Sequence, residues 1–157
     1  MLEYYGKRLN AVEINNTFYR MPSREVLADW ASKVPGDFSF ILKASRKITH
    51  NKRLKDAEEE LAYLVDVSGE LAGRRGPILF QLPPYLKKDV ERLRDFVSLL
   101  LEGFMAAFGF RHRSWFEEEV YQVLADGGVA LVVADTGEED ATPLVAPRRP
   151  TGMHVSA

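Results

Sequence analysis

Residues 77–82 have the sequence Pro-Ile-Leu-Phe-Gln-Leu, and Pro83 and Pro84 follow directly. A short, nearly all-apolar run of this kind is typical of a strand in a parallel sheet whose two faces are both covered. Because neither proline can donate a hydrogen bond to a neighbouring strand, the strand should end there. The segment therefore predicts an α/β protein with a buried parallel sheet.

The segments on both sides of this run alternate between strand-like and helix-like patterns. Apolar and branched residues predict further strands at residues 11–19, 38–43, 104–111 and 129–135. Helical spacing of apolar residues predicts helices from Ser23 to about Val34, at residues 54–71 and at residues 87–101. A last helix should begin at Ser114, where Ser114 and Glu117 fit a capping box. Strand and helix in regular alternation predict right-handed βαβ units and a parallel sheet.

Five such strands fit either an open doubly wound sheet or part of a closed barrel. No glycine-rich phosphate loop of the GxGxxG or Walker type follows any predicted strand, which weakens the doubly wound alternative. A complete eight-unit barrel needs about 250 residues, whereas this chain has 157. We therefore predict a single domain that forms an incomplete parallel (β/α) barrel of about five to six of the eight strands.

Composition restricts the class of protein. Apolar residues make up 46% and charged residues 28% of the chain, which is the balance of a folded globular protein. Cysteine is absent, which excludes disulfides, thiol catalysis and cysteine metal ligands. The sequence has no apolar run of about 18 residues and no secretory signal at its first residues, so no membrane association and a cytoplasmic location are expected. The net charge of −2 argues neither for nor against nucleic acid.

Four motifs occur in order along the chain: VEINNTFYRMPS at residues 12–23, ITHNKRL at 48–54, GPILFQLPP at 76–84 and FRHRSW at 110–115. Together they resemble the domain-of-unknown-function 72 family, also called YecE-like, over residues 1–143. The resemblance implies a TIM-barrel-like fold and a family without a settled activity. It also implies that the first strand and the last strands and helices are missing, and that Gly109 stands where the family commonly has Glu.

In a parallel barrel, ligands bind at the carboxyl ends of the strands, so the polar residues there are the candidate site. Glu13, His112 and Asp135 are the candidate catalytic groups. The candidate ligand-binding residues are Asn15, Lys43, Arg46, Lys47, His50, Gln81, Arg111 and Trp115. Glu13, Lys43, Gln81, Arg111 and Asp135 are predicted to share one rim.

Each candidate has a structural alternative. Glu13, Asn15 and Thr17 alternate on the first predicted strand and could form only an internal polar layer. Gln81 could serve internal hydrogen bonding, and Asp135 could cap a loop rather than act as a base or metal ligand. Arg111 could grip a phosphate bidentately or pair with an acid across the barrel. Trp115 could stack on a flat ligand or lie in the core.

The segment after the second predicted strand is unusually basic and has no acidic residue between Lys43 and Lys55. Such a run is often only a solvated face, yet positive charge on the rim of a net-negative protein favours an anionic ligand. Metal binding has weak support, because none of His50, His112 and His154 shows the spacing of a zinc motif. No residue pattern in the sequence indicates a particular cofactor.

The leading hypothesis is a protein that binds a phosphate-bearing anionic ligand at the barrel rim, with hydrolytic or acid–base chemistry as the candidate reaction. A non-catalytic nucleic-acid-binding module that uses the same basic loop is the first alternative. An inactive partial chain that associates with itself through open sheet edges is the second.

Overall fold

The computed structural model describes residues 11–100 and 104–132. Its sheet has five strands, all parallel, in the order of the chain. Consecutive parallel strands joined by helices are the arrangement of a barrel segment, so the predicted incomplete (β/α) barrel is confirmed. The strands are β1 Ala11–Ile14, β2 Ser39–Lys43, β3 Arg75–Gln81, β4 Ala106–Gly109 and β5 Ala130–Leu131.

Helices follow the first four strands and cover the outer face of the sheet. They are α1 Arg24–Ser32, α2 Glu58–Ser68, α3 Val90–Ser98 and α4 Glu118–Asp126. The Ser23 hydroxyl accepts the Val26 N–H at the start of α1, and the Asp89 carboxylate accepts the Arg92 N–H at the start of α3. These caps satisfy backbone donors that the first helical turn leaves free. Within the described part of the chain, no helix combines the length and the apolar character that crossing a membrane requires.

Shorter helical turns occupy several of the connections. Three are 3₁₀ turns and one, after β2, is a π-helical turn: Asn16–Phe18, Lys47–Asn51 (π), Gly69–Arg74 and Arg113–Trp115.

Several predicted elements are too long. The helix predicted at residues 54–71 is Glu58–Ser68 followed by a 3₁₀ segment, and the helix predicted at 87–101 is Val90–Ser98. The strand predicted at 104–111 is Ala106–Gly109. At the ends of the two helical segments, Leu54, Leu71, Leu99 and Leu100 continue the periodic pattern, but the backbone there leaves the regular α-helix.

Two local predictions are wrong. The strand predicted at residues 11–19 ends at Ile14 and turns into a 3₁₀ helix, so Asn15 and Thr17 do not continue the alternation that begins with Glu13. The capping box is also absent, because α4 begins at Glu118 and Ser114 lies in a separate 3₁₀ turn. The Glu117 carboxylate instead pairs with the Lys88 ammonium at 2.5 Å.

The two faces of the sheet have different cores. The outer face packs against the helices through large side chains, among them Phe40, Phe80 and Phe108, which are fully buried. The inner face carries a smaller apolar layer made by Leu79, Ala107, Ala130 and Val132. Large residues outside and small residues inside fit a sheet that curves towards the barrel axis.

Candidate functional site

Strand register places polar side chains at the carboxyl-terminal end of the inner face. Glu13 lies opposite Ile41, which is two residues before Lys43, so Glu13 and Lys43 share a face. Lys43 lies opposite Leu79, which is two residues before Gln81, and Gln81 lies opposite Gly109. The structure therefore brings Glu13, Lys43 and Gln81 to one rim.

Arg111 joins this rim just beyond the end of β4. Burial lowers the pKa of Lys43 first, the positive charge of Arg111 lowers it further, and the carboxylate of Glu13 opposes both effects. An arginine can act on the Lys43 pKa in this way only if it lies close to the ammonium group. Asp135, the fifth residue predicted for the rim, lies outside the described residues.

Thr17 holds the first connection against the end of β2. Its side-chain oxygen accepts the Lys43 N–H at 3.1 Å and lies 2.7 Å from the carbonyl oxygen of Lys43 and 3.1 Å from that of Ile14. Because β1 ends at Ile14, it offers β2 no hydrogen-bonding partner at Lys43. The fully buried Thr17 hydroxyl takes the place of that partner. Sequence reasoning placed Thr17 on a strand face and missed this role.

Phe18 lies next to Thr17 and contacts two candidate ligand-binding residues. The Lys43 ammonium is 4.5 Å from the centroid of the Phe18 ring, within the range of a cation–π contact. The His50 ring meets the same ring edge-on, with centroids 4.9 Å apart. Lys43 and His50 therefore both contact the Phe18 ring, which holds them near each other.

His50 is carried by the π-helical turn after β2, a kind of turn that often occurs at functional sites. Its Nδ1 is 2.8 Å from the buried Thr49 hydroxyl, which orients the ring. Burial, followed by the charges of Lys43 and Arg46, holds the pKa of His50 below its ordinary value. The imidazole is therefore neutral at neutral pH and able to accept a proton.

The backbone just beyond this turn is strained. Arg53, Leu54 and Asp56 have left-handed backbone angles that residues other than glycine seldom adopt. Strain of this kind clusters at ligand-binding loops and switch regions, where the surrounding structure imposes it.

Four basic side chains, Lys43, Arg46, His50 and Arg111, form what we call the cation cluster. Some cations elsewhere are neutralised directly: Arg24 pairs with Asp66 and Glu70, and Lys88 pairs with Glu117 and Glu119. Within residues 11–100 and 104–132, no member of the cation cluster forms an ion pair. Lys43, Arg46 and Arg111 therefore bring positive charge without an ion-pair partner to the described part of the rim, next to the neutral His50 ring.

Gln81 and Gly109 form the floor of the rim between β3 and β4. A Cβ atom added to Gly109 would lie 2.5 Å from Oε1 and 3.0 Å from Cδ of Gln81. The Gln81 amide thus occupies the space that glycine leaves, which gives the inner face a polar group that can both donate and accept hydrogen bonds.

Trp115 and His112 are held by their own loop. Trp115 is fully buried, stacks on Phe110 with ring centroids 4.7 Å apart, and donates its indole N–H to the Leu86 carbonyl at 2.7 Å. These contacts favour the core role that the sequence left open for Trp115. The His112 Nδ1 accepts the Ser114 N–H at 3.1 Å and lies 2.9 Å from the Ser114 hydroxyl oxygen.

Within the described residues, the side chains of Asn15 and Lys47 form no hydrogen bond, ion pair or ring contact with the cation cluster. Asn15 is exposed at the end of β1, where its backbone carbonyl accepts the Phe18 N–H at 3.0 Å. Lys47 is exposed on the outer side of the rim. In the described ranges, no three histidine, aspartate or glutamate side chains come close enough together to hold a metal ion, and His154 lies outside those ranges.

A groove of about 1110 Å³ opens on the outer side of the same two connections. Its walls come from the connection after β1, the start of α1, the connection after β2 and the first half of α2. Sequence reasoning did not predict the groove, because its residues come from separate elements without a common motif.

Parallel βα units with basic and polar side chains at the carboxyl ends of their strands define a protein of the parallel α/β barrel class, with its candidate ligand site on that rim. The family model described as "Protein of unknown function DUF72" matches residues 1–155. The chain belongs to this family.

Individual relatives agree with this assignment. The UPF0759 protein YecE of Escherichia coli strain K12 is 28% identical over 141 residues, which cover 86% of this chain and 52% of YecE. A DUF72 family protein of Thermotoga maritima has a similar crystal structure, with a TM-score of 0.76 and 30% identity over 90% of this chain and 58% of that one. A DUF72 family protein of Enterococcus faecalis shares the fold at a TM-score of 0.66 and 20% identity, over 86% of this chain and 59% of that one. The chain thus spans about half the length of the curated relatives that it matches.

Proposed function

We propose that the protein binds a phosphate-bearing anion at the cation cluster. The supporting observation is that Lys43, Arg46 and Arg111 gather with His50 on one rim and form no ion pair among the described residues. Arg24 and Lys88, in contrast, each have carboxylate partners. Like charges held together repel each other, and a bound anion removes that repulsion. A cytoplasmic location is part of this proposal.

The members of the cluster suit a phosphate group in different ways. An arginine such as Arg111 presents paired N–H donors that match two phosphate oxygens, whereas Lys43 supplies a compact point charge. The partial burial of Lys43 strengthens its interaction with an anion, because less water screens the charge there. The Gln81 amide adds a neutral donor at the floor of the rim.

His50 is the residue best placed for acid–base chemistry on such a ligand. It is neutral at neutral pH, oriented by Thr49, and next to the Lys43 ammonium across Phe18. A neutral imidazole beside a bound anion can accept a proton and return it. Glu13 faces the same rim and is a second candidate, while His112 and Asp135 remain candidates from the sequence.

The test is the affinity for inorganic phosphate, measured by titration calorimetry at low ionic strength. Replacement of Arg111 by Ala should weaken binding by about 1.5–3 kcal/mol, the range for hydrogen bonds to charged groups. The matched control is Arg94→Ala, which removes an exposed arginine from the middle of α3 and should leave binding unchanged. Unaltered phosphate affinity in a folded Arg111→Ala protein would remove the central residue of the proposal.

A second candidate function, non-catalytic nucleic-acid binding, is supported by the exposed side chains of Lys52, Arg53 and Lys55 beyond the π-helical turn. In that case an oligonucleotide should bind with an affinity that falls steeply with salt, because phosphate contacts release counterions. Weak salt dependence together with tight binding of a small phosphate ester would favour the first candidate.

A further inference from the structure

The groove on the outer side of the rim shares its walls with the cation cluster. The connection after β1 places Phe18 against Lys43 and His50 and places Tyr19 in the groove. In the connection after β2, Ser45 and Lys47 line the groove and lie on either side of Arg46. The cation cluster and the groove therefore lie on opposite sides of the same two connections.

Ring contacts show how short the path between the two sites is. The Tyr19 ring meets Phe18 edge-on with centroids 5.0 Å apart, and the His50 ring meets Phe18 at 4.9 Å. A single aromatic ring thus separates the imidazole of the cation cluster from the first tyrosine of the groove. The two sites are therefore neighbours along a short series of ring contacts.

Apolar exposure is concentrated in this groove. Tyr19, Tyr63 and Val26 are 71%, 58% and 41% exposed, and all three line it. Exposed tyrosines offer flat faces on which a ring can stack at little cost in side-chain entropy. Grouped apolar exposure of this kind marks a binding surface more often than isolated exposed residues do.

A carboxylate on the groove wall is paired with a lysine. Glu60 lines the groove, and its Oε1 pairs with the Lys52 ammonium at 2.5 Å. The charge of the Glu60 carboxylate is therefore balanced on this wall.

We propose that the groove is the second half of the ligand site and that the ligand is a small phosphate monoester with a flat ring, the chemistry of a nucleoside monophosphate. The phosphate lies on the cation cluster, and the ring lies between Tyr19 and Tyr63. This inference rests on the proposed function, since the cation cluster supplies the phosphate half of the site.

The test compares three probes by titration calorimetry: inorganic phosphate, ribose 5-phosphate and adenosine 5′-monophosphate. Only the last carries a ring system that can stack in the groove, and stacking of one base should strengthen its binding about tenfold over ribose 5-phosphate. Tyr63→Ala should remove that advantage and leave phosphate affinity unchanged. Tyr85→Ala is the matched control, because Tyr85 is 62% exposed but does not line the groove.

The outcomes separate the two proposals. If phosphate binds but adenosine 5′-monophosphate binds no better than ribose 5-phosphate, the groove inference fails and the proposed function stands. If none of the three probes binds, both fail. Tyr63 is exposed on α2 and alanine favours helix, so the variant should fold. Tyr19→Leu provides a second variant, and an unchanged preference for the adenosine probe in both variants would also overturn the inference.

Discussion

Gly109 and Gln81 lie opposite each other on β4 and β3, and the amide of Gln81 fills the space above the glycine. Gly109 has no positive backbone angle, since Gly128 is the glycine with a positive φ in the described ranges. A residue with a side chain can therefore adopt the backbone conformation of Gly109. The Gln81 side chain limits how large that side chain can be.

This contact predicts a coupling between the two residues. Gly109→Ala should be more favourable in a Gln81→Ala background than in the native chain, by about 1 kcal/mol, because residues in contact couple by roughly 0.5–3 kcal/mol. Without the amide, the substitution gains the usual stabilisation of about 0.5–1 kcal/mol for replacing glycine within a strand. Urea unfolding of the four proteins measures the coupling. Equal effects in the two backgrounds would show that Gln81 does not occupy this space.

A second prediction at this scale concerns the pKa of His50. Burial and the charges of Lys43 and Arg46 lower it, so Lys43→Met should raise it, whereas Lys55→Met in the same basic segment should not. NMR titration of the imidazole resonances checks both. Because the folded pKa lies below the unfolded one, the unfolded state binds the proton first as the pH falls through about 6.5. Lowering the pH through this range should therefore decrease the free energy of unfolding. The decrease should be smaller in Lys43→Met.

The limits of sequence reasoning are visible at single positions. Lys43 and Gln81 were assigned to the rim correctly, because side chains in a strand alternate with period two and parallel strands end on the same side. Thr17 was misplaced, because a threonine continues a strand pattern and also serves as a hydrogen-bond partner for another strand. The contact of Phe18 with Lys43 and His50 joins three elements, and no spacing within the sequence encodes it.

At the scale of elements, the connection after β1 contributes residues to both the cation cluster and the groove. Predicted as the end of a strand, it is a 3₁₀ turn that directs Phe18 to the inner rim and Tyr19 to the outer groove. Strand propensity favoured the longer strand, and the side-chain hydrogen bonds of Thr17 outweigh that preference.

Thr17→Val tests the importance of this turn. The substitution keeps the shape and removes the hydroxyl, so the N–H and C=O of Lys43 lose a buried partner, at a cost of about 1–3 kcal/mol. Thermal or urea unfolding measures the loss. Ser32→Ala is the control, since it removes an exposed hydroxyl that donates to the Asp29 carbonyl at 2.7 Å and should change stability little. A loss no larger than that of the control would show that other contacts hold the connection.

At the scale of the molecule, the described part of the sheet has β1 at one end and β5 at the other. Within the described residues, β1 pairs only with β2, and β5 pairs only with β4. In a closed barrel every strand has two neighbours, which removes free edges. An edge strand presents backbone N–H and C=O groups to other chains, and lysine is a residue that natural proteins place there to prevent pairing. The four residues of β1 include no lysine.

We therefore predict that the chain associates with itself through β1 and that Ala11→Lys weakens this association. Ala11 is exposed at the start of β1, so the new ammonium group can reach solvent in the monomer and becomes desolvated only when a second strand pairs there. Sedimentation equilibrium over a range of concentrations should show a smaller weight-average mass for the variant. Ala125→Lys adds the same charge at an exposed position of α4 and should leave the mass of the assembly unchanged. A native chain that remains monomeric at every concentration and unfolds in one sharp transition would contradict the prediction, because its edge would then need no partner.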